Sequence, residues 1–118
     1  MTLEGGCILQ DASDKLEPFG LEMPISIGSK GSCQIGGNIA TNAGGLNVIK
    51  YGSIRSNILG IEAVLPNGEL HNDLKTIKKN NTGFDLKQLL IGSEGTLGII
   101  TAATLKIYKK PSERIVLI

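Results

Sequence analysis

The 118-residue sequence has no tryptophan and only four other aromatic side chains, Phe19, Tyr51, Phe84 and Tyr108. Any core must therefore be built mainly from aliphatic residues. A single histidine, His71, excludes a multi-histidine zinc site. The two cysteines, Cys7 and Cys33, form no C-x-x-C and no metal spacing, and both read as reduced thiols. Neither sign of charge is in excess: 12 Lys and Arg face 11 Asp and Glu, leaving +1. Without a basic face, nucleic acid is not an expected partner. No apolar run approaches the roughly 20 residues of a membrane span. The start, Met1 to Gly5, has neither a basic nor an apolar region of the kind a secretory signal needs. Asn80-Asn81-Thr82 matches a glycosylation acceptor formally, and without a signal it is expected to be idle.

What the sequence does have is glycine, 16 residues of it, about twice the usual share. The glycines lack a collagen period and alternate with Ile, Leu and Val, so they belong to a folded chain. Along that chain, Gly5 to Leu9 reads as strand-like. Leu9, Ala12, Leu16 and Phe19 fall at helical spacing and predict a helix stopped by Gly20. Pro24 to Gly31 reads as extended or loop. In Gly36 to Gly45 the six residues between two glycine pairs predict a short helix.

Leu59, Ile61, Ala63 and Leu65 then alternate as a strand, and Pro66-Asn67-Gly68 supplies a turn into a partner strand at Glu69 to His71. Asp73 to Lys79 reads as polar surface. Asp85 is placed to cap a short helix carrying Leu86, Leu89 and Leu90 that stops at Gly92. A second long strand is expected from Ile99 to Tyr108, with Ile99, Ala103, Leu105 and Ile107 on one face. One α+β domain with an antiparallel sheet follows from this order.

Two glycine clusters carry the chemistry that can be read: Gly28 to Gly45, and Gly92-Ser93-Glu94-Gly95-Thr96-Leu97-Gly98. Neither is a Rossmann fingerprint or a Walker loop, since Gly31 follows Lys30 where a Ser or Thr would be required. Side-chain-free backbone can nevertheless bring N–H groups against phosphate oxygens without many Lys or Arg. The plain alternative stands beside it. Such glycines can simply make turns and close contacts, with Glu94 a solvated carboxylate, Lys30 a surface lysine, Asn38 and Asn42 turn residues and His71 a surface histidine. No Ser/His/Asp set or paired carboxylates point to acid–base or nucleophilic catalysis.

These same residues carry a resemblance. Gly31 to Gly45 (GSCQIGGNIATNAGG), Tyr51-Gly52-Ser53, Ile58 to Gly68 (ILGIEAVLPNG), Asn81 to Leu90 and Gly92 to Thr101 (GSEGTLGIIT) follow one another as in FAD-linked oxidases of the vanillyl-alcohol-oxidase type, which carry a PCMH-type FAD-binding domain. The match runs from about Gly5 to Pro111. Within that family the sequence most resembles the D-2-hydroxyacid dehydrogenases that act on hydroxyglutarate, lactate and glycolate. Lys30-Gly31-Ser32-Cys33 and Asn81 to Leu90 favour the hydroxyglutarate branch.

The resemblance implies the second FAD subdomain, a mainly antiparallel sheet flanked by helices, with FAD as cofactor. It places Gly28, Ser29, Lys30, Gly31, Ser32, Cys33 and Gln34 along the flavin and ribityl side. Thr41, Asn42, Ala43 and Gly44 are placed at the ribityl–diphosphate region, and Gly37 is among the cofactor-binding residues. Glu94, Gly95, Thr96, Leu97, Gly98, Ile99 and Ile100 are placed at the adenosine half. The implied reaction oxidises a D-2-hydroxy acid to the 2-oxo acid, in the cytoplasm or, in a eukaryote, the mitochondrion. The relatives' N-terminal glycine loop has no counterpart before Gly5, and their substrate domain with its metal-binding histidines has none after Pro111. Ser26 and Gln34 stand where relatives usually carry an acidic residue and a histidine. The expectation is a single domain over 1–118, half of an FAD domain, with no catalytic or metal-ligating residue of its own. Association with the absent halves or with itself is the alternative role.

Overall fold

The computed structural model describes residues 1–74 and 85–117. In chain order these form β1 (Thr2–Glu4), α1 (Leu9–Leu16), β2 (Leu21–Glu22), α2 (Ile35–Ala40), α3 (Val48–Tyr51), α4 (Ile54–Asn57), β3 (Ile58–Val64), β4 (Leu70–Asn72), α5 (Lys87–Leu90), β5 (Ile99–Leu105) and β6 (Tyr108–Lys109). A four-stranded antiparallel sheet has the order β1-β5-β3-β4, and β2 pairs with β6 in a separate ribbon. The expected α+β class, an antiparallel sheet flanked by helices, is the one adopted.

The core lies between the sheet and helices α1 and α2. Leu9, Ala12 and Leu16 share one face of α1 and are buried, while Asp11, Asp14 and Lys15 face solvent. Ile35 and Ile39 of α2 meet Ile61, Ala63, Ala103 and Leu105 from the sheet in the same cluster. These aliphatic side chains supply the main drive to fold, about 1.5–3 kcal/mol for each large one fully removed from water.

Two bulges decide which strand residues enter this core. Pairing between β3 and β5 jumps from Ile58↔Leu105 to Gly60↔Thr104, which leaves Leu59 as an extra residue. It jumps again from Glu62↔Ala102 to Ala63↔Ile100, which leaves Thr101 extra on β5. Each bulge reverses the inward–outward alternation beyond it. Ile58 rather than Leu59 is therefore buried with Ile61 and Ala63. Ile100 faces the core, and Ile99, expected there, is 68% exposed.

Other boundaries differ from the sequence reading for identifiable reasons. The first strand is Thr2–Glu4 rather than Gly5–Leu9: Gly5 and Gly6 turn the chain, with Cys7 N–H donating to Glu4 O, and only Ile8 makes a bridge, to Gln34. Phe19 is 75% exposed because α1 tightens into a 3-10 turn at Glu17–Phe19, and the changed pitch rotates it off the apolar face. The short helix between the glycine pairs begins earlier and takes in Gly36 and Gly37. The hairpin partner lies one residue later than expected, at Leu70–Asn72. Asp85 does not cap α5 with its side chain, since Lys87 takes that carboxylate at 2.7 and 2.6 Å.

The second long strand is broken. After Leu105 the Lys106 N–H donates to Asn57 O at 2.9 Å instead of a strand partner, and Tyr108–Lys109 crosses to β2. Buried Asn57 also donates to Tyr51 O and Ser53 O and accepts from the Tyr108 hydroxyl at 2.7 Å. Cys7 and Cys33 are free thiols, half-buried. The glycosylation triplet 80–82 and most of the polar segment 73–79 lie outside the described residues.

Candidate functional site

Helix α2 is the axis along which the glycine clusters meet. At its start, Ile35 N–H donates to Cys7 O and Gly36 N–H to Gly5 O, while Leu9 and Gln10 N–H donate to Cys33 O and Lys30 O. Those bonds lay the segment 28–34 against the turn at Gly5-Gly6 and the start of α1. At its end, Gly92 N–H donates to Ile39 O at 3.0 Å and Glu94 N–H to Ala40 O at 2.8 Å. The second cluster is thereby fastened to the C-terminal turn of α2. Gly37 and Thr41 lie exposed between the two attachments, followed by exposed Asn42 and Gly44.

The glycines of this surface are of two kinds. A Cβ on Gly36 would lie 3.1 Å from the carbonyl oxygens of Gly5 and Ile100, and one on Gly45 would lie 2.3 Å from Ser26 O. Those two are required by close backbone contacts inside the fold. Gly28, Gly31 and Gly37 have ordinary φ, and a Cβ built on any of them meets nothing within 4 Å. Nothing within the described chain requires glycine there. All three are exposed, and their backbone is open to whatever lies outside.

The amides divide in the same way. Lys30, Ser32, Cys33, Thr41, Asn42, Ala43, Glu94 and Thr96 spend their N–H groups on carbonyls of nearby turns. Among the described residues, the N–H groups of Gly28, Gly31, Gly37, Gly44 and Gly95 take no backbone acceptor. In the second cluster Gly92, Glu94 and Gly95 have φ of 78, 52 and 79°. Glu94 is costly in that region, by about 1–2 kcal/mol, and its bond to Ala40 O holds it there.

Not every expected residue reaches this surface. Gly98 is buried, its Cα side pressed toward Val64 O, and Ile100 packs against the core. Ala43 and Cys33 are half-buried, and Cys33 Sγ accepts from Asn38 Nδ2 at 3.4 Å. Ser29, Lys30, Gly31, Ser32 and Gln34 are exposed on the loop before α2, and Gly95, Thr96, Leu97 and Ile99 are exposed beyond its far end. No group of three or more His, Cys, Asp or Glu that could hold a metal occurs among the described residues.

Two residues escaped the sequence reading. Gly6 is exposed, has ordinary φ and would meet nothing within 4 Å if it carried a Cβ, so it extends the open backbone beside residues 34–36. Arg55, on α4, donates to Gln88 O at 2.6 Å, Gln88 Oε1 at 2.8 Å and Ile91 O at 2.7 Å, just before Gly92. Gly6 sat within a segment read as strand, which hid it. Arg55 is separated from its partners by the whole β3–β4 hairpin, and no local pattern marks it.

The loop after Gly44 is anchored by a polar cluster. The Tyr51 hydroxyl donates to Glu22, Arg114 pairs with Glu22 at 2.7 Å and Lys50 lies 3.5 Å from it, while Tyr51 stacks on Tyr108 with centroids 4.1 Å apart. Burial pushes the Glu22 carboxyl up, but the Tyr51 hydrogen bond and the Arg114 and Lys50 charges outweigh it and hold it below the ordinary carboxylate range. Burial and the Glu22 carboxylate raise the Tyr51 hydroxyl.

Exposed glycines with free N–H groups and, among the described residues, no cluster of cations beside them suit a long ligand whose phosphates are met by main chain. The profile of the FAD binding domain family matches residues 1–73. The chain belongs to the FAD binding domain family. Its cofactor is accordingly FAD, and the open amides at Gly28, Gly31, Gly37, Gly44 and Gly95 fit that group. Over 112 residues the chain is 54% identical to mitochondrial D-2-hydroxyglutarate dehydrogenase of Bos taurus, covering 95% of this chain and 21% of that protein. It is 51% identical over 112 residues to a putative mitochondrial D-lactate dehydrogenase of Schizosaccharomyces pombe, with coverage of 95% and 21%. Among solved structures it superposes on alkyldihydroxyacetonephosphate synthase with a TM-score of 0.80 at 28% identity, covering 95% of this chain and 20% of that one. The chain thus spans about a fifth of the length of the curated relatives it matches.

Proposed function

We propose that the chain forms one wall of the FAD site of a flavin-dependent D-2-hydroxyacid dehydrogenase, with hydroxyglutarate or lactate as the substrate type. When bound, FAD would supply a hydride acceptor at flavin N5 for the hydrogen on C2 of the hydroxy acid, while the hydroxyl proton passes to a base outside these residues and the 2-oxo acid leaves. The chain's own residues bind and orient. Gly28 to Gln34 lie along the flavin and ribityl chain, Gly37 and Thr41 to Gly44 along the ribityl–diphosphate region, and Glu94 to Leu97 with Ile99 along the adenosine half. The facing N-terminal FAD subdomain and the substrate domain complete the site, and the chain itself contributes no catalytic side chain. The cytoplasm, or the mitochondrion in a eukaryote, is the compartment this reading implies.

The observation that carries the reading is that Gly6, Gly28, Gly31 and Gly37 are exposed, have ordinary φ and meet no contact within the described chain that would require glycine. One wall loses half the contacts of a closed cleft and leaves the ring system wet. FAD titrated into the purified chain should therefore bind weakly, quench little fluorescence, and still shift the amide NMR signals of Gly28, Gly31, Gly37, Gly44 and Gly95. Unmoved signals at saturating FAD would remove the assignment. Sub-micromolar affinity with turnover of D-2-hydroxyglutarate in the presence of a dye acceptor would overturn the one-wall reading instead.

A further inference from the structure

Arg55 lies where the two glycine clusters touch. A Cβ on Gly92 would fall 3.5 Å from Arg55 Nη2 and 3.4 Å from the Asn42 Cβ, so the guanidinium, Asn42 and the head of the second loop share one junction. Its three hydrogen bonds all go to neutral oxygens, the carbonyls of Gln88 and Ile91 and the side-chain oxygen of Gln88. Ion pairs join Lys50, Lys87, Lys110 and Arg114 to carboxylates. Arg55 has no such partner among the described residues, and positions 75–84 contain no Asp or Glu. Neutral acceptors satisfy its N–H groups and leave its charge uncancelled. An arginine used only as a clamp would do the same work beside a carboxylate, and here a half-buried positive charge stands at the meeting point of two backbone loops.

We infer that Arg55 is a positioning residue for the anionic part of the cofactor, an inference that rests on the FAD reading above. Through Gln88 and Ile91 it fixes the end of α5, and so the register of Gly92 to Gly95 against Asn42. Through its unpaired charge it favours a diphosphate at that junction over a neutral group. The two contributions are separable, because a lysine keeps the charge while losing the fork, and a methionine keeps the length while losing both.

The test compares ADP with adenosine as probes of the 15N-labelled chain, at low and at high salt. Arg55→Met should weaken ADP binding about tenfold at low salt, the size of one partly screened charge contact, and should flatten the salt dependence. Its adenosine affinity should fall by about twofold at most, roughly a third of a decade, and to the same extent in Arg55→Lys, since both lose the fork. Arg55→Lys should retain most of the ADP affinity and its salt dependence. Equal ADP losses for both variants, or equal losses for both ligands, would reduce Arg55 to a clamp and overturn the inference. Should Arg55→Met fail to fold, the Nε–H signal of Arg55 in the unaltered chain decides: ADP must shift it and adenosine must not. Wild-type amides that respond to neither ADP nor FAD would defeat the FAD reading itself, a distinguishable result.

Discussion

At the scale of single residues, the neighbours Gly36 and Gly37 have opposite reasons for lacking a side chain. A methyl on Gly36 would press on two backbone carbonyls at 3.1 Å, and neither can yield without moving β1 or β5. Gly36→Ala should cost about 1–3 kcal/mol, as overpacking at a rigid contact does. A methyl on Gly37 meets open space at ordinary helical φ. Gly37→Ala should raise stability by about 0.5–1 kcal/mol, because alanine has less unfolded-state entropy to lose. Under the proposed site the same methyl should weaken FAD, since it would stand on the surface that the cofactor approaches. Urea unfolding of both variants, with FAD titration by NMR, checks all three signs. A Gly37→Ala chain that is more stable and binds FAD as before would place the cofactor elsewhere. The clusters were legible in the sequence as unusual. Which glycine serves the fold and which serves an outside molecule depends on atoms distant in the chain, Gly5 O and Ile100 O above all.

At the scale of elements, what could be read was existence and type, and what could not was register. The periodicity of Leu9, Ala12 and Leu16 specified α1, and the alternation about Ile61 specified β3. The bulges at Leu59 and Thr101 arise only when β3 and β5 pair, so the outward turn of Ile99 had no local signal. Nor had the break after Leu105, which depends on Asn57 offering its carbonyl to Lys106. The Glu22 cluster is of the same non-local kind, joining β2, α3 and the tail at Arg114. The Glu22 carboxyl is held below its ordinary value of 4.5 in the fold. Its contribution is therefore fully present above that value and is lost as pH falls through the lower folded-state value. Melting temperature should drop as pH falls from above 4.5 to below it, and Glu22→Gln should be less stable than the native chain at neutral pH while losing that part of the acid dependence. Parallel pH profiles for the two chains would mean that Glu22 does not link these elements.

At the scale of the whole molecule, the exposed glycines are bordered by apolar side chains that the described chain leaves uncovered. Leu97 within the second glycine cluster and Ile99 just after it are exposed, and Leu46, Val48 and fully exposed Ile49 follow Gly45. Patches of this kind on a soluble domain usually mark contact surfaces, and in relatives about five times as long there is ample further chain to cover them. In the 118-residue chain by itself, two copies should meet through the same surfaces. Light scattering should show a molar mass rising with protein concentration. Ile99 lies at the start of β5 beyond the Thr101 bulge and outside the core, so Leu97→Lys with Ile99→Lys should abolish the rise without lowering the melting temperature. FAD competes for the neighbouring glycine surface and should shift the equilibrium toward monomer. A molar mass that stays monomeric at every concentration would show that Leu97 and Ile99 are tolerated in water. Association that survives the double lysine variant would move the contact to Leu46, Val48 and Ile49, whose replacement by serine then becomes the deciding experiment.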